Sequence, residues 1–324
     1  MRDQMTRLAA AAAVVFAFSS DAIAQPYPAK PIRFIVPFAP GGSADILART
    51  LSQRMSEPLG QAIVIENRGG AGGGIGADLA AKAPPDGYVV LFTTNGPVTV
   101  TPSLQQKVTY DALKDFTPIT IIAALPNMLV THPSLPVQSV KDLVALAKAS
   151  PGQITYASGG AGASNHLAAE LLKYMAGIDL VHVPYKGGGP AAIAAVTGEV
   201  SLLFATLPSA IGHVKTQRLR AIAVTSDKRS PAMPNVPTIA ESGVPGYEMT
   251  SWVGALVPAS TPAAIVSKLH QELAKAVQLQ DVGERLRSEG YEIVMSTPEQ
   301  MTQRMRAETA KWAKVIKAAR ITSE

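Results

Sequence analysis

The 324-residue chain contains no cysteine. That absence removes disulfides, thiolate zinc sites, iron–sulfur clusters and cysteine nucleophiles together. Aromatic residues make up only 5%, too few for a platform on which single-stranded nucleic acid stacks its bases. Neither sign of charge dominates: 29 Lys and Arg stand against 24 Asp and Glu, for a formal net charge of +5 spread along the chain. No five-residue basic run occurs, so no nucleic-acid partner is expected. What is plentiful is core material. Hydrophobic residues reach 47%, which excludes wholesale disorder, and the length suits about two domains.

The N-terminus reads as an export signal. Arg2 and Arg7 give a basic start, Leu8 to Phe18 is an apolar stretch, and Ala22-Ile23-Ala24 supplies the small-x-small pattern before Gln25. The stretch is too short to span a bilayer, which takes about 20 residues. Cleavage after Ala24 removes Arg2, Arg7, Asp3 and Asp21, two charges of each sign, so the mature charge stays at +5. No later stretch reaches spanning length without Pro, Gly or charge. An exported protein, periplasmic and held together by its core alone, is expected.

Local motifs for catalysis are scarce. The five histidines (His132, His166, His182, His213, His270) form neither H-x-H nor H-E-x-x-H, so no metal site is predicted. His166 and Glu170 lie one helical turn apart, where a structural role is expected. Gly41-Gly42-Ser43-Ala44-Asp45 misses the last glycine of G-x-S-x-G. Gly72 to Ala77 fits only a relaxed dinucleotide fingerprint, so no cofactor is predicted. A secreted serine hydrolase using Ser43 or Ser158 stays open as a rival reading. It needs a histidine within reach, and a helical His166 is expected to point away from Ser158.

Strands and helices alternate. β-Branched Ile32–Val36 precedes Pro37-Phe38-Ala39-Pro40-Gly41-Gly42, then Leu47, Leu51, Met55 and Leu59 recur at helical spacing until Gly60. Strands are read at 63–66 and 88–92, with a loop at 93–97. The unit recurs at 154–157, 180–183, 201–204 and 219–224, with helices at 165–175 and 191–197. The C-terminal part is helical over 262–279, 282–289 and 298–320. Strands near 121–131 and 251–257 are the natural crossings between two lobes. This pattern is an α/β sheet with crossover helices. Trp252 and Trp312 are read as packing residues.

In such a sheet the turns after the strands face ligands. Here they carry Gly, Ser, Thr and Asn and few charges. Glycine admits close backbone approach, and a following helix offers unpaired N–H groups and partial positive charge, worth on the order of 0.3–2 kcal/mol toward an anion. Gly41-Gly42 and the Ser158–Ser164 run, one per lobe, are the candidates. Tyr185, after Pro184, is a further one.

The chain resembles the Bug-type extracytoplasmic solute receptors, the binding components of tripartite tricarboxylate transporters. The matching stretches are Val36-Pro37-Phe38-Ala39-Pro40-Gly41-Gly42-Ser43-Ala44-Asp45, Glu66-Asn67-Arg68-Gly69-Gly70-Ala71-Gly72-Gly73, Pro85-Asp86-Gly87-Tyr88, His166-Leu167-Ala168-Ala169-Glu170-Leu171 and His182-Val183-Pro184-Tyr185-Lys186-Gly187. The match runs in order through Pro26–Ala319. It implies an α/β, two-lobed periplasmic-binding-protein fold (Venus flytrap, type II-like), with residues 25–126 plus 249–324 as the first lobe and 127–248 as the second. It implies a small carboxylate ligand in the cleft, permease subunits of the transporter as partners, and a monomer. The ligand contacts carried over are Phe38, Ala39, Gly41, Gly42, Ser43 and Asp45 from the first loop, and Thr94 and Asn95 from the second. The other lobe supplies Ser158, Gly160, Ala161, Ala163 and Ser164. Many members carry aspartates where Ser201 and Ala205 stand here. Ala205 removes a counter-charge for a ligand amine, so an amine-free di- or aromatic carboxylate is expected. A sensory binding protein reporting to a membrane kinase fits the same residues.

Overall fold

The structure is a computed structural model and describes residues 27–104 and 108–322; the export segment lies outside the described residues. In chain order the elements are β1 (Ile32–Val36), α1 (Ser43–Leu59), β2 (Ile63–Asn67), α2 (Gly74–Ala81), β3 (Val89–Thr94), α3 (Asn95–Thr99), α4 (Thr101–Leu104) and β4 (Phe116–Thr131). There follow α5 (Val140–Ala149), β5 (Thr155–Ser158), α6 (Ser164–Ala176), β6 (Val181–Pro184), α7 (Gly188–Val196), β7 (Leu202–Thr206), α8 (Leu207–Lys215) and β8 (Arg220–Val224). The chain ends with β9 (Thr250–Pro258), α9 (Ala263–Gln278), α10 (Gln280–Ser288), β10 (Glu292–Ile293) and α11 (Pro298–Ala318).

β1 pairs in parallel with β2 and β3, and β5 with β6 and β7. These two parallel sets are joined by β4, whose 16 residues do two jobs. Phe116–Pro126 pairs with β9, and Asn127–Thr131 pairs with β7 and, on its other edge, β8. The molecule is therefore two lobes that share the strand β4, with β9 beside its first part.

Each half buries its own core. Phe34 and Phe92 stack at 5.4 Å beside Leu51, Val253 and Leu273 in the first. Leu129, Tyr156, Leu167, Phe204 and Tyr247 meet in the second. Each such side chain contributes about 1.5–3 kcal/mol by leaving water. The inward stripe of α1 is Leu47, Leu51, Met55 and Leu59, all buried, and Gly60 ends the helix at φ +65° with its N–H on the Glu57 carbonyl. Helix α11 spans both halves: Met301 and Met305 pack beside Trp252 in the first, Trp312 in the core of the second.

Several sequence expectations need correction, and helices α4 and α5 were not read from the sequence. Thr93 and Thr94 complete β3, and Asn95–Thr99 is a helical turn rather than loop. Helix α7 begins at Gly188, three residues before the expected start, because Pro190 falls in its first turn where no N–H is required. Helix α8 was not expected at all; Pro208 opens it rather than breaking it, for the same reason.

Candidate functional site

Five helices begin around one cavity between the halves. Gly42, Ser43, Ala44 and Asp45 line it from the start of α1, Ala163, Ser164 and Asn165 from α6, and Gly188 from α7. Thr206, before α8, and Thr94, before α3, close the floor, with Phe38 and Gly159 at the walls. None of these five helix starts has a side-chain cap. The two helices that do, α5 through Ser139 and α11 through Thr297, begin elsewhere. Uncapped first turns leave backbone N–H groups for another acceptor. Among the described residues, neither lysine nor arginine lines the cavity.

Asp45 is the charged residue in the lining, and its carboxylate is already engaged. It accepts from the Gly41 N–H at 3.0 Å, from Arg49 Nε at 3.0 Å and from Asn67 Nδ2 at 2.9 Å. Burial alone would raise its pKa; the hydrogen bonds from Arg49, Gly41 and Asn67 outweigh burial and hold it below the usual carboxylate range. Asn67 also donates to the Phe38 carbonyl at 3.0 Å. Asp45 thus shapes the loop 38–42. Sequence reasoning missed Arg49 and Asn67, although Asn67 stood inside a quoted motif. Asn95 is likewise engaged: it donates to Glu308 at 3.3 Å and accepts from Ser251 Oγ at 2.8 Å.

In the second lobe the loop after β5 is held from beneath. Gly159 N–H donates to Asn165 Oδ1 (3.0 Å), Gly160 N–H to Ser158 Oγ (3.0 Å) and Gly162 N–H to His166 Nδ1 (3.2 Å). These three amides scaffold the loop. Ser164 and Asn165, at the helix start, keep backbone N–H groups that no group among the described residues takes. Ser158 Oγ lies 2.6 Å from His182 Nε2, and the rings of His166 and His182 meet at a tilt with centroids 4.4 Å apart. His166 meets the loop at Gly162, and the histidine in contact with Ser158 is His182. Burial lowers the His166 pKa to about 3, with His182 and Lys173 adding to the shift. Burial also lowers that of His182 to about 4, against the pull of Glu170. Both rings are neutral, and the bond from Gly162 places the His166 proton on Nε2. Ser158 is fully buried, and the neighbouring glycine amides that would serve an oxyanion are taken. Glu170 accepts from Tyr156 and Lys173 rather than joining His166 at a metal.

Of the residues named from sequence, Phe38, Gly42, Ser43, Asp45, Thr94, Ala163 and Ser164 line the cavity. Ala39, Gly41 and Gly160 stand at the seam where the lobes meet. Ala161 packs into the second core, and Ala205 sits with Met128, Ala157 and Leu203 in an apolar cluster facing away from Thr206. Tyr185 points outward to Glu199 at 2.7 Å. Ala44, Asn165, Gly188 and Thr206 were missed, while Gly159 lay inside the Ser158–Ser164 run. Of the four, Ala44, Asn165 and Thr206 adjoin residues that were named. Gly188 and Thr206 depended on the unrecognised starts of α7 and α8.

Residues 47–321 match the family model described as "Tripartite tricarboxylate transporter family receptor". The chain belongs to this receptor family. It is 37% identical over 317 residues to Protein BugT of Bordetella pertussis, covering 97% of each chain. The receptor's fold matches R. palustris Rpa4515, solved with adipate, at a TM-score of 0.88 and 39% identity, covering 91% of this chain and 99% of that one. It matches MatC from Rhodopseudomonas palustris, solved with malate, at 0.86 and 30% identity, covering 90% of this chain and all of that one.

The receptor's β9 and α3 are tied to α11 at Glu308, which accepts from Trp252 Nε1 at 3.1 Å, from Asn95 and from Arg304. One buried carboxylate thereby joins strand β9, the last helix and Asn95, the neighbour of the cavity-lining Thr94.

Proposed function

We propose that this protein is a periplasmic solute receptor, exported with cleavage after Ala24. It captures a small, amine-free di- or aromatic carboxylate between its lobes and delivers it to the permease subunits of a tripartite tricarboxylate transporter. The observation that carries the ligand class is the convergence of uncapped helix starts on a cavity without a free side-chain charge. Neutral N–H and hydroxyl donors (Ser43, Thr94, Ser164, Thr206) suit a carboxylate oxygen, and hydrogen bonds to a charged acceptor are the stronger kind. A ligand ammonium finds no such partner, because the Asp45 carboxylate is already engaged. The adipate and malate held by the two R. palustris relatives fit this reading. The lobes divide at 126/127 and 248/249, so capture couples to their closure. The receptor acts as a monomer.

The test is calorimetry of the mature protein against mono-, di- and tricarboxylates, aromatic acids, aspartate and glutamate, with small-angle scattering at saturation. Binding of a diacid or aromatic acid with compaction is expected. Tight aspartate or glutamate binding without diacid binding overturns the ligand class, and an unchanged radius of gyration overturns capture by closure.

A further inference from the structure

The mechanism of capture leaves two histidines unexplained. Tyr156 stacks on His182 at 4.9 Å between centroids, and His166 lies tilted by 31° against His182 at 4.4 Å, beside residues 158–164. Stacked aromatic packing alone would be served by apolar side chains. These rings instead present nitrogen to the loop at two places, His182 Nε2 to Ser158 Oγ and His166 Nδ1 to the Gly162 N–H. Ser158 passes the contact on, since its Oγ also accepts from Gly160. The loop leads straight into Ala163, Ser164 and Asn165, the part of α6 that lines the cavity. An acceptor lost under Gly162 would leave its amide buried and unpaired, and the loop would shift to find water.

We propose that His166 and His182 are positioning residues for ligand capture: through Gly162 and Ser158 they fix the loop that aims the start of α6 at the ligand. This rests on the receptor reading above. The groups facing the pair are Tyr156, Glu170, Lys173 and Ser158. Glu170 is held by Tyr156 and Lys173, which leaves the rings to the loop. His166 acts here as an acceptor; a protonated ring would set N–H against N–H at Gly162.

The test separates polarity from packing. Asn at position 166 places an amide oxygen where Nδ1 stands, and Gln at 182 reaches where Nε2 stands; Leu fills either space without an acceptor. Succinate, malate, adipate and benzoate serve as calorimetric probes, with thermal midpoints recorded in parallel. His166→Asn and His182→Gln are expected to bind the best probe within about three-fold of wild type, and His166→Leu and His182→Leu to lose about ten-fold or more while folded. Wild-type affinity in His166→Leu, or equal losses in the Asn and Leu variants, overturns the proposal. Should the Leu variants not fold, ring ¹⁵N shifts of the wild type decide: an unprotonated His166 Nδ1 supports it, a protonated one overturns it. Absence of binding by wild type to every probe fails the receptor reading instead, and the ring shifts still judge the positioning contact.

Discussion

Ala39 N–H donates to the Lys186 carbonyl at 2.8 Å, a backbone hydrogen bond from one lobe to the other. Around it the seam is built of glycine. A Cβ on Gly189 would stand 2.0 Å from the Pro40 carbonyl oxygen, and one on Gly187, at φ +146°, 2.8 Å from the Ala39 nitrogen. Main chain meets main chain here because nothing larger than hydrogen fits. The close approach of the two lobes here is thus specified by a missing side chain as much as by any attraction.

Gly189→Ala should therefore prop the lobes apart. Position 189 lies in a helix, where alanine is otherwise favoured over glycine by about 1 kcal/mol, so the fold should hold. The expected result is a thermal midpoint at or above wild type without ligand, with diacid affinity down by roughly ten-fold. Calorimetry and scattering read both; unchanged affinity would remove the seam from the mechanism.

Asp45 organises the first ligand loop, and Asp45→Asn should be destabilising. The variant leaves Arg49 without its charge partner and weakens the bond from Gly41, a loss of about 1–3 kcal/mol in urea denaturation at pH 7. The sign with pH follows from the lowered pKa. The contribution is fully present above the unfolded value of 3.8 and is lost as pH falls through the folded one. Below that range variant and wild type should converge. A constant gap down to pH 2 would mean the carboxylate's charge is irrelevant.

Glu308 offers a test of the contact that joins α3, β9 and α11. Glu308→Ala strands the buried Trp252 indole N–H and the Asn95 amide, at about 2–3 kcal/mol; Glu308→Gln keeps one acceptor and should lose about half of that. Trp252 and Trp312 are the two tryptophans, so a Trp312→Phe background isolates the Trp252 emission. A shift on Glu308→Ala, with weakened diacid binding through Asn95 and Thr94, is the expected outcome. Unaltered emission would detach Glu308 from Trp252.

The fold was readable where local chemistry decides it. β-Branched runs, the stripe Leu47–Leu59 and Gly60 act within a few residues, and they placed β1 and α1. Glycine-rich turns pointed to both ligand loops, and the quoted motifs to the family. What stayed hidden depends on distance along the chain. Asn95 and Glu308 are 213 residues apart, and neither predicts the other. Nothing in the spacing of Ser158 and His182 announces a 2.6 Å contact. Ala205 was read through its neighbours in other receptors, but strand alternation turns it into the core and leaves Thr206 at the cavity.

The two neutral histidines should mark the receptor's acid sensitivity. In the unfolded chain each takes a proton near pH 6.5; in the folded protein His182 resists to about 4 and His166 to about 3. Between those limits the unfolded state binds more protons, so stability rises with pH there, by about 1.4 kcal/mol per pH unit for each proton. It is complete above the unfolded value and declines as pH falls below it. Urea midpoints between pH 7.5 and 4.5 should trace this slope, and a variant carrying both His166→Asn and His182→Gln should flatten it, because neither replacement titrates. A wild-type slope surviving in that variant would show that the protons go elsewhere and that the rings under the loop are not held neutral.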